Sequence, residues 1–116
     1  ERGVQLLPGT DSAYGFPALR EVELYVEAGL SPARALALAT LEAERYLGRD
    51  AWLGSIEIGK RADFFLIPND PLEDISNIRE IRLVMKDGVA YLPAEIHRAL
   101  GIQPFAEPVT LPGATQ

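Results

Sequence analysis

The chain has 116 residues and a formal net charge of −6, with 47% of its residues apolar and 24% charged. That length suits one domain-sized core, and the acidic balance with scattered basic residues argues against a nucleic-acid backbone as partner. The absence of cysteine excludes disulfides and thiolate metal sites, and one histidine, His97, cannot by itself build a histidine-rich metal centre.

No stretch approaches the ~20 consecutive apolar residues of a membrane-spanning helix. The sequence opens on Glu1-Arg2-Gly3 rather than on an initiator methionine, which raises the expectation that it is a piece of a larger protein.

Val4 to Leu7 is a short apolar run compatible with a strand buried on both sides. Pro8-Gly9 stops it, because proline offers no ladder donor and glycine tolerates unusual backbone angles. Thr10 to Phe16 reads as loop, its end marked by Gly15 and Pro17. Proline suits the start of a helix, and Leu19, Val22 and Val26 recur at helical spacing with Tyr25 alongside. Arg20, Glu21, Glu23 and Glu27 mostly take the other face, and Gly29 suits a left-handed C-cap. Ser31-Pro32 opens a second helix, serine as N-cap and proline in the first turn. Its apolar stripe is Leu36, Ala39, Ala43 and Leu47, and it is expected to run unbroken to Gly48.

From Leu53 the pattern changes. Ser55 to Ile58 alternates polar and apolar, the mark of a half-buried strand, and Ala62 to Ile67 forms a second, rich in aromatic and branched residues. After Pro68-Asn69-Asp70-Pro71 comes a polar stretch, Leu72 to Ile78, with room for one helical turn. Ile81 to Lys86, Asp87-Gly88 and Val89 to Leu92 form a hairpin, since Asp-Gly fits a two-residue turn with positive backbone angles. Pro93 to Leu100 is a short helix stopped by Gly101. Gln103 to Gln116 carries three prolines and little periodicity, as expected of a tail that lies over a neighbour or stays disordered.

The succession Gly9-Thr10-Asp11, Glu21 to Gly29, Ser31 to Thr40, Leu53-Gly54-Ser55-Ile56, Gly59-Lys60-Arg61-Ala62-Asp63, Asp70-Pro71-Leu72 and Val84-Met85-Lys86-Asp87-Gly88 resembles the C-terminal end of the metal-dependent amidohydrolase superfamily. The resemblance covers residues 3 to about 92. It implies an α/β chain that is the C-terminal fragment of a (β/α)₈ TIM-like barrel followed by part of a small β-sandwich. In it, residues 1–50 would be the last strand and closing helices, 51–92 the C-terminal sandwich strands, and 93–116 a short helix and extended tail. It further implies that Asp11 ligates a divalent metal, zinc in the first instance, and shuttles a proton between the attacking water and the leaving group. The family's remaining ligands, a His-x-His pair and two further histidines, have no counterpart in this chain. The partners implied are a small-molecule substrate and the remainder of a parent chain, with self-association left open. The parent would hydrolyse amide, cyclic amide or related C–N bonds, and the chain alone is expected to be inactive.

Other residues weigh less. Asp11 could instead cap its own backbone in a turn. Ser12, Tyr14 and Phe16 follow on the same loop and are candidates for a substrate pocket or ordinary loop residues. Glu21 reads more simply as complementing the dipole of the first helix. Lys60, Arg61 and Asp63 read as salt bridges flanking a turn, Trp52 as an anchor between helix and strands, and His97 as a solvated helix residue. Two rival readings stand beside the hydrolase: a non-catalytic scaffold or oligomer-contact domain, and a small-molecule binding module.

Overall fold

The computed structural model describes residues 3–12 and 16–110. The elements run α1 (Phe16–Glu27), α2 (Pro32–Ala37), a π-helical segment (Leu38–Glu42), α3 (Ala43–Tyr46), β1 (Phe64–Leu66), a 3₁₀ helix (Ile75–Arg79), β2 (Leu83–Lys86), β3 (Val89–Tyr91) and α4 (Pro93–Ala99). The class is mixed α/β. The radius of gyration, 15.4 Å, exceeds the ~13 Å of a compact chain of this length.

Helix α1 buries the face that its spacing predicts. Val22 packs with Ala35 of α2 and Ile78 of the 3₁₀ helix, and Leu19, Tyr25, Val26, Leu36, Ala39 and Ile75 surround them. At its end Gly29 takes a φ of 103°, which only glycine adopts cheaply. Leu30 N–H then reaches back to the Tyr25 carbonyl at 3.0 Å. Ser31 caps α2, its Oγ accepting from Arg34 N–H at 3.3 Å.

The second helix is not one regular α-helix, contrary to expectation. Its middle turn widens into the π segment, where Thr40 Oγ1 donates to the Leu36 carbonyl at 2.7 Å. A hydroxyl that bonds back to the preceding turn competes with the regular ladder. The same stretch is where another backbone comes close: a Cβ on Gly54 would lie 2.9 Å from Leu41 Cα.

One antiparallel sheet forms, in the order β1-β2-β3. Asp87 and Gly88 make the β2–β3 turn with φ of 51° and 77°, as the Asp-Gly pair predicts. Two expected strands are absent. Val4 to Leu7 pairs with no strand among the described residues, and Val4 is 76% exposed. Without a neighbour its backbone has no ladder to join. Ser55 to Ile58 is irregular too; its alternation fails because Ile56 and Ile58 both face solvent.

Trp52 joins helix to strands through its backbone, its carbonyl accepting from Arg61 N–H at 3.0 Å, while its indole stays exposed. The polar stretch before β2 contains the 3₁₀ helix, capped by Asp74, whose Oδ1 accepts from Ser76 N–H at 2.9 Å. After α4 the chain to residue 110 has no regular structure. Phe105 nevertheless packs edge-on against Phe16 (5.7 Å between ring centroids) and His97 (5.5 Å), so this part lies over a neighbour. Tyr14, Gly15 and residues 111–116 fall outside the described residues.

Candidate active site

Asp11 lies three residues past Pro8, in a left-handed conformation with φ 48°. Aspartate tolerates this region better than most residues, and such backbone is sparse enough outside glycine to mark a shaped turn. Its carboxylate is exposed and has no hydrogen-bond or ion-pair partner among the described residues.

The segment bearing Asp11 is tied to α1. Gly9 N–H donates to Glu21 Oε1 at 2.9 Å, and Tyr25 Oη donates to the same oxygen. The Tyr25 hydroxyl is pushed up to about 12, first by burial and then by its bond to Glu21. Glu21 Oε2 is buried and has no partner among the described residues. The dipole reading of Glu21 is thereby corrected: it sits in the second turn of α1, beyond the reach of that effect, and binds a specific donor instead.

Beside Glu21 an open groove of about 490 Å³ is lined by Thr10, Phe16, Pro17, Arg20, Leu24 and Arg79 as well. Of the loop residues expected to line a pocket, Phe16 does so. Glu23 departs from the sequence reading by being buried, at 5% exposure. Arg79 reaches it with two nitrogens, Nη2 at 2.7 Å from Oε2, and Arg20 Nη1 adds a bond at 3.0 Å. These guanidinium groups, Arg79 foremost, hold the Glu23 carboxyl down at about 2. Nothing local marks Glu23 as buried, because its main partner lies 56 positions downstream.

The turn cluster behaves as expected of salt bridges. Lys86 Nζ (2.7 Å) and Arg61 Nη2 (2.6 Å) meet Asp63 Oδ2, and Asp87 N–H donates to Oδ1 at 2.6 Å. Lys86, then Arg61, then the backbone donor hold this carboxyl well below the usual range. Lys60 pairs with Glu57 at 3.0 Å. His97 is not a solvated helix residue: it is half-buried against Phe105, and its Nδ1 is buried without a partner among the described residues.

Asp11 offers one hard oxygen donor, suited to a divalent cation. No group of three or more His, Cys, Asp or Glu side chains that could hold a metal gathers among the described residues. Among the described residues, then, Asp11 is chemically able to serve as one ligand, and no complete site is assembled.

The model of the amidohydrolase family matches residues 1–90. Ochratoxinase of Aspergillus niger is 33% identical over 107 residues, which are 90% of this chain and 22% of that protein. Imidazolonepropionase of Symbiobacterium thermophilum is 38% identical over 60 residues, 52% of this chain and 14% of that one. Among solved structures, a Xaa-Pro dipeptidase with methionine bound in its active site superposes with a TM-score of 0.72 at 36% identity. The match takes in 78% of this chain and 23% of that chain. The chain spans about a fifth of the length of the ochratoxinase it matches.

Proposed function

The chain belongs to the amidohydrolase family, and on that premise we propose that it acts as the C-terminal part of a metal-dependent hydrolase. The substrate is a small molecule, and the bond cleaved is an amide, a cyclic amide or a related C–N bond. In this reading residues 1–50 supply the last strand and closing helices of an α/β barrel, and 51–92 the C-terminal strands of a small β-sandwich. Residues 93–116 are a short helix and tail. The exposed apolar side chains of Val4, Leu6 and Leu7 support the first assignment, because a barrel strand buries both of its faces.

The observation that carries the proposal is Asp11, an exposed carboxylate without a described partner on a shaped turn just past the apolar run. A divalent cation such as zinc, when bound, acidifies water to near neutrality. Asp11 would supply one ligand to the cation, the others coming from the remainder of the parent chain. Its carboxylate takes the proton that the attacking water releases and delivers it to the leaving nitrogen as the C–N bond breaks. The groove beside Thr10 and Glu21, with apolar Phe16, Pro17 and Leu24, offers room for part of a substrate.

The test is Asp11→Ala in the full-length protein, read by elemental analysis and by turnover of a panel of dipeptides and small cyclic amides. Metal content should fall, and kcat/KM should drop by about 10²-fold or more. Unchanged metal content and turnover would overturn the catalytic role and leave a scaffold or binding module.

A further inference from the structure

We propose that Glu21 and Tyr25 are positioning residues for Asp11, clamping the turn that carries it onto helix α1. The inference rests on the proposed role of Asp11 for its chemical consequence, but not for the clamp itself.

Pro8 to Ser12 lie past the apolar run and belong to no helix or sheet, so individual contacts decide where Asp11 sits. The bond from Gly9 N–H to Glu21 Oε1 spans 12 positions and fixes a backbone atom only two residues before Asp11. Two residues of chain reach at most ~7 Å, so holding that amide keeps Asp11 beside α1.

The clamp is itself braced. Glu21 and Tyr25 stand one helical turn apart, neighbours on one face of α1, and the tyrosine hydroxyl meets the oxygen that holds Gly9. A tyrosine hydroxyl is protonated, hence a donor, at ordinary pH, and burial with the bond to Glu21 raises its pKa further. Because Glu21 Oε2 has no partner among the described residues, the carboxylate is anchored there through Oε1. A glutamine at this position retains an oxygen for both donors and gives up no bond at the other end. Alanine removes the anchor, and phenylalanine in place of Tyr25 removes only the brace. This pattern separates clamping from a general need for charge or bulk.

The full-length protein tests it, with zinc alone as the probe. Hydrogen exchange of the peptide spanning residues 4–12 reads the clamp, and zinc affinity by chelator competition reads the placement of Asp11. Glu21→Ala should speed exchange in that peptide by about tenfold, the loss of one hydrogen bond. It should leave the hairpin peptide 83–91 unchanged and weaken zinc binding by about 10- to 100-fold, as loss of an outer-shell partner does. Glu21→Gln should restore both readings close to wild type, and Tyr25→Phe should fall between. Should Glu21→Ala fail to fold, Tyr25→Phe carries the test. Unchanged exchange at 4–12, equal acceleration of the hairpin, or a glutamine variant as impaired as alanine would each overturn the clamp. Faster exchange at 4–12 with unchanged zinc affinity would overturn its bearing on Asp11. An Asp11→Ala control that leaves zinc affinity intact would sink the metal-ligand reading separately, and the exchange data would still decide the clamp.

Discussion

Glu23 is a carboxylate within an apolar helix face, and its two arginines decide its charge. Burial alone would favour the protonated form, yet Arg79 and then Arg20 bring the group from 4.5 down to about 2. A folded-state value below the unfolded one adds stability above the unfolded pKa, and that stability is lost as pH falls through the folded value. The window therefore runs from about 4.5 down to about 2. Because both arginines are nearly half exposed, the contribution is about 1 to 3 kcal/mol at neutral pH. Glu23→Gln in the full-length protein should lower the thermal midpoint at pH 7, and the gap to wild type should close as pH approaches 2. A gap that stays constant with pH would show that the pair adds nothing through charge.

The loop that follows α3 folds back so that Gly54 lies against the π segment. A side chain there faces two obstacles, a φ of 88° and a Cβ position 2.9 Å from Leu41 Cα. Backbone cannot swing away as the end of a flexible side chain can, so Gly54→Ala should cost about 2 to 4 kcal/mol. Calorimetry of the full-length variant checks this, and a wild-type midpoint would mean that the close approach is not required. The hairpin has its own brace: Asp63 takes donors from Lys86, Arg61 and the Asp87 backbone, joining the approach to β1 with the β2–β3 turn. Charge here organises strands instead of building a catalytic cluster.

The molecule buries few large side chains. Val22, Leu38, Ile78 and Leu83 are enclosed, whereas Val4, Leu24, Tyr46, Leu47, Trp52, Ile56, Ile58 and Leu100 are exposed. Scattered exposed apolar groups are ordinary, but this many large ones on a chain this size make a surface suited to covering. The 116 residues expressed alone should therefore associate at micromolar concentration and bind an apolar dye. Light scattering beside a dye titration checks this; a cooperative monomer without dye binding would count against it.

Much of the fold was legible in the sequence because its causes are local. The stripe Leu19, Val22, Val26, the Ser31-Pro32 helix start and the Asp87-Gly88 turn each act within a few residues, and each forms as spacing and backbone preference dictate. The kinship of the chain was likewise legible in the order of its short motifs, and it is that resemblance that points to Asp11. The tertiary structure alone decided whatever depends on a distant partner. It withheld strand pairing from Val4 to Leu7, since a strand exists only beside another. It buried Glu23 because Arg79 arrives 56 positions later, and it turned Glu21 from a helix-end charge into the acceptor for Gly9. Periodicity records which face of an element is apolar; which groups meet across elements is set by packing, and the surroundings of Asp11 are of that second kind.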